Sequence, residues 1–112
     1  MTDCIFCKMV NGEIQADVVY SDDNILAFKD IAPQAPVHIL LIPKQHIATL
    51  NDLDDAGLAG HLVVKAAAIA KQEGIADAGY RTVFNCNQDG GQAVYHLHLH
   101  LLGGRAMAWP PG

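Results

Sequence analysis

The chain contains three histidines that alternate with leucines, in the run His96-Leu97-His98-Leu99-His100-Leu101-Leu102. Because successive side chains of a strand point to opposite faces, this spacing predicts a strand with its histidines on one face and its leucines on the other. We extend the predicted strand over Val94 to Leu102 and place Tyr95 on the leucine face. The leucine face can pack against a core, so the histidine face must meet something polar.

The remaining patterns predict an α+β fold with an antiparallel sheet of about five strands, one long helix and a short N-terminal helix. The short helix covers residues 3–11 and begins at Asp3. The turn chemistry of residues 21–24 predicts a hairpin, and the pattern lacks the repeated strand–helix–strand units that a parallel sheet needs. The predicted strands cover residues 18–20, 25–28, 38–42, 80–87 and 94–102.

One long helix is predicted over about residues 54–73, with Asn51 or Asp52 as its N-terminal cap and Gly74 at its end. His61 falls on the polar side of this helix and is expected to be a solvated surface residue. The residues predicted to form the inner stripe and its flank are Leu58, Leu62, Ala66 and Ile69, with Ala59, Val63 and Ala70 beside them.

Composition excludes several classes of function. A chain of 112 residues, 51% hydrophobic, suits one domain over residues 1–112 with a core of its own. Seven basic side chains against twelve acidic ones give a net charge of −5, so nucleic acid is not an expected partner. No run approaches the roughly 18 apolar residues of a membrane span. The first residues lack the features of a secretory signal, so a cytoplasmic location is expected.

Three aligned imidazoles suit nucleophilic catalysis. With an ordinary pKa of about 6.5, imidazole is largely uncharged at neutral pH. One ring nitrogen can attack while the other keeps its proton, provided that a carbonyl or a second group orients that proton. A neighbouring histidine on the same face can stabilise charge on the leaving side. Gly90-Gly91, just before the strand, lets backbone N–H groups approach an anionic group.

The run from His96 to Leu102 resembles the signature of the histidine triad superfamily. Residues 30–36, 38–43, 89–92 and 109–112 are similar to its Hint branch, the purine nucleoside phosphoramidases, and the likeness covers residues 4–112. The resemblance implies a homodimer with the histidine triad fold. It also implies hydrolysis of purine nucleoside phosphoramidates or related nucleotide conjugates through a covalent nucleotidyl-histidine, which releases a nucleoside monophosphate and requires no cofactor for the chemistry.

The resemblance also implies roles for individual residues. His98 resembles the nucleophile, and His100 the neighbour that contacts the phosphate and assists the leaving group. His38 is similar to the histidine that supports the nucleophile, and Asp30 to the residue that holds the ribose hydroxyls. The other implied nucleotide-binding positions are Phe6, Phe28, Ile31 and Leu40 for the base, Asn85, Gly91, Gln92 and Ala93 around the phosphate, and Trp109, which reaches the partner subunit's site.

Two alternatives stay open beside the phosphoramidase. One is a dinucleoside polyphosphate hydrolase of the same superfamily, and the other is a nucleotide-binding or zinc-binding interaction module with weak catalysis. Ala93 stands where many relatives carry a serine hydroxyl, which favours ester or anhydride substrates or a different proton donor. The Trp-Pro-Pro-Gly ending favours the phosphoramidase branch.

Cys4-x-x-Cys7 indicates a metal-ligand or redox pair in a reducing compartment, and unmetallated packing thiols remain the alternative. Two thiolates with two imidazoles make a natural tetrahedral zinc set, which His46 and His96 would complete. The resemblance implies that some members carry such a structural zinc. Cys86 is expected to be a small core residue in the middle of a strand.

Overall fold

Five strands, paired antiparallel throughout, form the sheet of the computed structural model, which describes residues 3–112. The predicted α+β class and the hairpin are confirmed. The strands are β1 (Val18–Ser21), β2 (Ile25–Lys29), β3 (Val37–Pro43), β4 (Tyr80–Phe84) and β5 (Leu99–Gly103), and their order in the sheet is β1-β2-β3-β5-β4. The last strand therefore lies inside the sheet, between β3 and β4.

The helices are α1 (Ile5–Val10), α2 (Ala56–Gln72) and the short α3 (Asn87–Gly90). Helix α1 begins after Cys4, whose Sγ accepts the Cys7 N–H at 3.3 Å, so the predicted start at Asp3 is wrong. Among the described residues, no helix is long and apolar enough to cross a bilayer.

The long helix begins later than predicted. Its N-cap is Asp55, whose Oδ1 accepts the Leu58 N–H at 3.0 Å. Asp52 is unavailable as a cap because it forms a capping box with Thr49 around a separate 3-10 turn, Leu50–Asp52. The predicted end is confirmed, since Glu73 is the C-cap and Gly74 adopts a φ of 76°.

The sheet divides two cores. Helix α2 packs Leu62, Ala66, Ile69 and Ala70 onto one face, where Leu97, Leu99 and Leu101 join them. On the other face, helix α1 packs Phe6 against Leu26, Phe28, Leu40 and Ile42. Val63, on the flank predicted to pack against the sheet or a second subunit, is 50% exposed in the single chain. The prediction of a solvated His61 is wrong, because the half-buried ring has Nε2 2.7 Å from Asp22 Oδ2 on the hairpin turn.

Two strands are shorter than predicted. β4 ends at Phe84, and Cys86 is the half-buried residue before α3 rather than a residue in a strand. β5 begins at Leu99, and Tyr95, predicted to lie with the leucines, is 47% exposed. The pairing of β5 with β3 stops near Pro43, because proline has no N–H to donate to the ladder.

Candidate active site and cysteine–histidine cluster

His98 and His100 lie on the face of the sheet opposite α2, beside the core around Phe6. In the ladder between β3 and β5, His38 is opposite Leu102 and His100 is opposite Leu40. His38 and His100 are therefore diagonal neighbours on one face, within reach of each other's rings. The three side chains come together because β5 lies next to β3.

Hydrogen bonding fixes the proton of the His98 ring. Nδ1 lies 2.8 Å from the carbonyl oxygen of His96, and since a carbonyl can only accept, Nδ1 is the donor. A neutral ring has a single N–H, so Nε2 of His98 carries a lone pair. The ring is 6% exposed and packs edge-on against Phe6, with centroids 5.3 Å apart. With its proton on Nδ1, the His98 ring leaves Nε2 free to accept a hydrogen bond or to attack.

The proton of His100 follows from a chain of two hydrogen bonds. The Gln34 N–H donates to Nδ1 of His38 at 3.0 Å, so the His38 proton is on Nε2. That Nε2–H donates to Nδ1 of His100 at 2.9 Å. His100 must therefore carry its own proton on Nε2, and this N–H is a donor for a ligand. His38 contacts His100 directly, and His100 in turn lies against His98 with ring centroids 4.9 Å apart. Support of His98 by His38 stays a prediction.

Burial keeps both rings neutral. It lowers the pKa of His100 to about 4, and the nearby His98 and His38 rings add to that effect. Burial also lowers the pKa of His38, although the charge of Asp30 acts in the opposite direction. His38 and His100 therefore carry one proton each at pH 7, on Nε2 in both rings.

Asp30 completes this group. Its Oδ2 lies 3.4 Å from Nε2 of His38, and its Oδ1 accepts the Ala32 N–H at 2.9 Å. The donor atoms of Asp30, His38 and His100 all lie within 4.8 Å of one another, a spacing that suits a metal ion. However, a metal on Nε2 of His38 would move the ring proton to Nδ1, against the Gln34 N–H. Gln34, His38 and His100 therefore form a hydrogen-bond relay, with the Asp30 carboxylate beside it.

The positions implied for the base fall into two groups. Phe6, Phe28 and Leu40 share one buried cluster, in which the two phenyl rings meet edge-on with centroids 5.4 Å apart. Ile31 follows Asp30 in an exposed loop and is itself 94% exposed. Trp109 is 82% exposed and lies beside Arg81. Within one chain the last two side chains are uncovered.

The positions implied for the phosphate differ in burial and in hydrogen bonding. The buried side chain of Gln92 accepts the Asn87 N–H at 2.9 Å and donates to the carbonyls of Ala48 and Val94 at 2.8 and 3.0 Å. Both of its donor hydrogens are therefore used within the protein. Gly91 ends α3 with a φ of 77°, and Asn85 is half-buried before that helix. The exposed Ala93 lines a cavity of about 470 Å³.

The four predicted zinc ligands come together. The ligand atoms of Cys4, Cys7, His46 and His96 all lie within 4.8 Å of one another. Cys4 Sγ is 3.2 Å from Nδ1 of His96, and Cys7 Sγ is 3.3 Å from Nδ1 of His46. The His96 Nε2–H donates to the Pro43 carbonyl at 2.8 Å, which leaves its Nδ1 lone pair facing the thiols.

The sequence analysis missed two backbone groups that orient these rings, the N–H of Gln34 and the carbonyl of Pro43. The carbonyl of His96 has the same function for His98. No side-chain pattern identifies such partners, because every residue except proline has both groups.

Comparison with known proteins gives one family by two routes, a family model and individual relatives. A family model described as the HIT domain matches residues 11–107. The chain is 52% identical over 105 residues to a purine nucleoside phosphoramidase of Escherichia coli strain K12, covering 92% of this chain and 88% of that protein. It is 60% identical over 112 residues to an uncharacterised HIT-like protein of Synechococcus elongatus, covering 98% and 97%.

Solved structures similar to this chain come from the same family. A HIT family hydrolase from Legionella pneumophila Philadelphia 1 superposes with a TM-score of 0.96 at 58% identity, covering 98% of this chain and 100% of the other. A zinc-bound histidine triad family protein from Mycobacterium smegmatis superposes with a TM-score of 0.81 at 32% identity, covering 93% and 76%.

Proposed function

The chain belongs to the HIT domain family, as the sequence analysis predicted, and on that premise we propose that it hydrolyses purine nucleoside phosphoramidates or related nucleotide conjugates. The observation that carries the proposal is the hydrogen bonding of the two rings, which assigns one proton to Nδ1 of His98 and one to Nε2 of His100. Nε2 of His98 has a lone pair for attack, and the neighbouring His100 presents an N–H that can stabilise negative charge.

In the proposed first step, Nε2 of His98 forms a bond to the α-phosphorus and the bond from phosphorus to the leaving nitrogen breaks. The leaving nitrogen keeps the electron pair and takes up a proton from water. His100 stabilises the phosphoryl oxygens by hydrogen bonding, because a ring with a pKa of about 4 holds no spare proton at pH 7. The product of this step is nucleotidyl-His98 and a free amine.

In the second step, water attacks the phosphorus and the bond to Nε2 of His98 breaks. The nucleoside monophosphate leaves, and the attacking water releases a proton to solvent, which balances the proton that the departing amine took from water in the first step. Dividing one displacement into two in this way is the general logic of covalent catalysis. Every step uses the chain's own side chains, and the His96 carbonyl stabilises the positive charge that His98 acquires on attack.

We propose that the nucleotide binds along the same face. Asp30 would accept hydrogen bonds from the ribose hydroxyls, and the apolar group of Phe6, Phe28 and Leu40, with Ile31, would contact the purine. Gly91 and Asn85 would line the phosphate. The fixed side chain of Gln92 would act by holding the loop between α3 and β5.

We further propose a homodimer of this domain. β4 is an edge strand of the sheet, and edge strands with unpaired backbone groups favour association. Val63 and Val64 on α2 are 50% and 66% exposed, and Trp109 is 82% exposed, so a second copy would cover apolar surface. Sedimentation of the full chain at micromolar concentration tests this, and a monomer at all concentrations would contradict it.

We propose that Cys4, Cys7, His46 and His96 hold a structural zinc ion. Two thiolates and two imidazoles suit zinc, and tetrahedral ligands of Zn²⁺ lie about 3.5 Å apart, close to the 3.2 and 3.3 Å between sulfur and nitrogen here. The bond from His96 Nε2–H to Pro43 is the outer contact that zinc-binding histidines commonly make. When bound, the ion would crosslink α1 to the segment before β5.

The proposed function is tested by trapping the intermediate. Wild type and His98→Ala are mixed briefly with an adenosine phosphoramidate labelled in its phosphate, and protein-bound label and free AMP are measured. We expect both in wild type and neither in His98→Ala. His61→Ala is the matched control, since His61 pairs with Asp22 on the other side of the sheet, and it should retain turnover. Turnover by His98→Ala would refute the mechanism.

Ala93 justifies one parallel assay. Because it has no hydroxyl to donate a proton to the leaving nitrogen, dinucleoside polyphosphates are compared with the phosphoramidate as substrates. A higher kcat/KM on the polyphosphate than on the phosphoramidate would favour a dinucleoside polyphosphate hydrolase. Tight AMP binding without turnover on either substrate would favour the interaction module.

A further inference from the structure

We propose that Arg105 is a positioning residue that sets the tautomer of His38 and, through it, the proton that His100 presents. No part of the reaction described above involves Arg105. Its effect on turnover rests on the proposed function, but its effect on the two rings does not.

Arg105 holds the loop between β2 and β3. Its Nη2 and Nε donate to the carbonyl of Gln34 at 3.0 and 3.3 Å, and its Nη1 donates to the carbonyl of Ala106 at 3.1 Å. The guanidinium thus bridges two segments 71 residues apart in sequence. A forked, permanently charged donor suits this contact better than a lysine ammonium does.

The residue before Arg105 strengthens this contact. Gly104 has a φ of 88°, and a Cβ on it would lie 2.8 Å from Cβ of Pro36. The backbone after β5 therefore lies directly against the loop. Arg105 and Gly104 hold adjacent parts of the same loop, at Gln34 and Pro36.

Gln34 connects this contact to the relay. Its carbonyl accepts from Arg105, and its N–H donates to Nδ1 of His38. Residues 31–34 and 36 are exposed and Ala35 is buried, and two further hydrogen bonds of this loop are local, from the Ala32 N–H to Asp30 Oδ1 and from the Gln34 side chain to the Ala32 carbonyl. The direction of the Gln34 N–H therefore depends on the contact that Arg105 makes.

The relay has two self-consistent arrangements. With the Gln34 N–H in place, His38 donates from Nε2 and His100 keeps its proton on Nε2, towards a ligand. Without it, His38 can hold its proton on Nδ1 and accept at Nε2. His100 would then protonate Nδ1 and present a lone pair to the phosphate, where it repels negative charge. Asp30, 3.4 Å from Nε2 of His38, favours the first arrangement but is too distant for a strong hydrogen bond.

The test compares Arg105→Ala, Arg105→Lys and Arg81→Ala as full chains. Arg81 is the matched control, because it also donates to a carbonyl near the C-terminus, that of Ala108 at 2.9 Å, and does not contact Gln34. Three quantities are measured: hydrogen exchange of the Gln34 amide, ¹⁵N shifts of the histidine rings, and kcat on the phosphoramidate.

In Arg105→Ala we expect the Gln34 amide to exchange about ten-fold faster. Nδ1 of His38 should shift towards the protonated value, and kcat should fall about five-fold, as for the loss of one hydrogen bond. Arg105→Lys should recover part of each change, and Arg81→Ala should leave the Gln34 amide and the His38 ring unchanged.

Unchanged Gln34 exchange and His38 shifts in Arg105→Ala would overturn the inference, whatever the activity. Changed shifts with an unaltered kcat in an active enzyme would overturn its catalytic part. Changed shifts in a protein whose wild type has no turnover would support the positioning of the rings and count against the proposed function alone.

Discussion

Replacing Gln92 by leucine should destabilise the fold, because this side chain is part of the structure around the site. Leucine has a similar size but can make none of the three hydrogen bonds to Asn87, Ala48 and Val94. At about 1 kcal/mol each, their loss amounts to about 3 kcal/mol. The three partners are partly exposed, so water recovers some of this, and we expect a net loss of about 2 kcal/mol.

Urea unfolding measures that loss, and Tm should fall by roughly 10 °C for a chain of this size. Gln88→Leu is the matched control, because Gln88 is an exposed glutamine of α3, and it should change stability by less than about 0.5 kcal/mol. The reasoning is refuted if Gln92→Leu is as stable as wild type. If such a stable variant also binds AMP more weakly, the amide serves the ligand rather than the loop.

Three further predictions concern charge, protonation and metal. Burial raises the pKa of Asp22, but hydrogen bonds from Tyr20, Asn24, His61 and Ile25 outweigh it and hold that pKa well below its usual range. The stabilisation is therefore complete above the unfolded pKa of about 3.9 and is lost as pH falls below it. In Asp22→Asn, the free energy of unfolding measured with urea should therefore change less between about pH 4 and 2 than it does in wild type. His100, with a pKa of about 4, should show no titration between pH 5.5 and 8 in its ring NMR signals, and a midpoint near 6.5 would contradict the relay. Chelation of zinc-loaded protein should lower Tm, and Cys4→Ser should bind less zinc by mass spectrometry; an equal zinc content would exclude Cys4 as a ligand.

Periodicity and turn chemistry predicted the sheet, the hairpin and the long helix, because these depend on residue type and spacing alone. The wrong predictions concern element boundaries and side-chain exposure that depend on residues distant in sequence. The helix start moved to Asp55 because Asp52 bonds to Thr49, and β5 starts at Leu99 because its neighbour strand ends in a proline. His61 was predicted to be solvated because nothing in the sequence brings Asp22, 39 residues away, within hydrogen-bonding distance.

The alternation of histidines and leucines predicted three rings on one face, and the structure gives each ring different surroundings. The His96 side chain is directed into the thiols, whereas its carbonyl holds the proton of His98. The same residue thus joins the cysteine–histidine cluster to the proposed nucleophile, and Phe6, between the two cysteines in sequence, packs edge-on against both rings. Displacement of His96 would move the acceptor of the His98 proton, so in the proposed mechanism the first histidine of the run acts through its backbone carbonyl. In the proposed mechanism, two backbone groups therefore set which ring attacks and which ring donates, the carbonyl of His96 and the N–H of Gln34. The carbonyl of Pro43 orients the His96 ring towards the thiols.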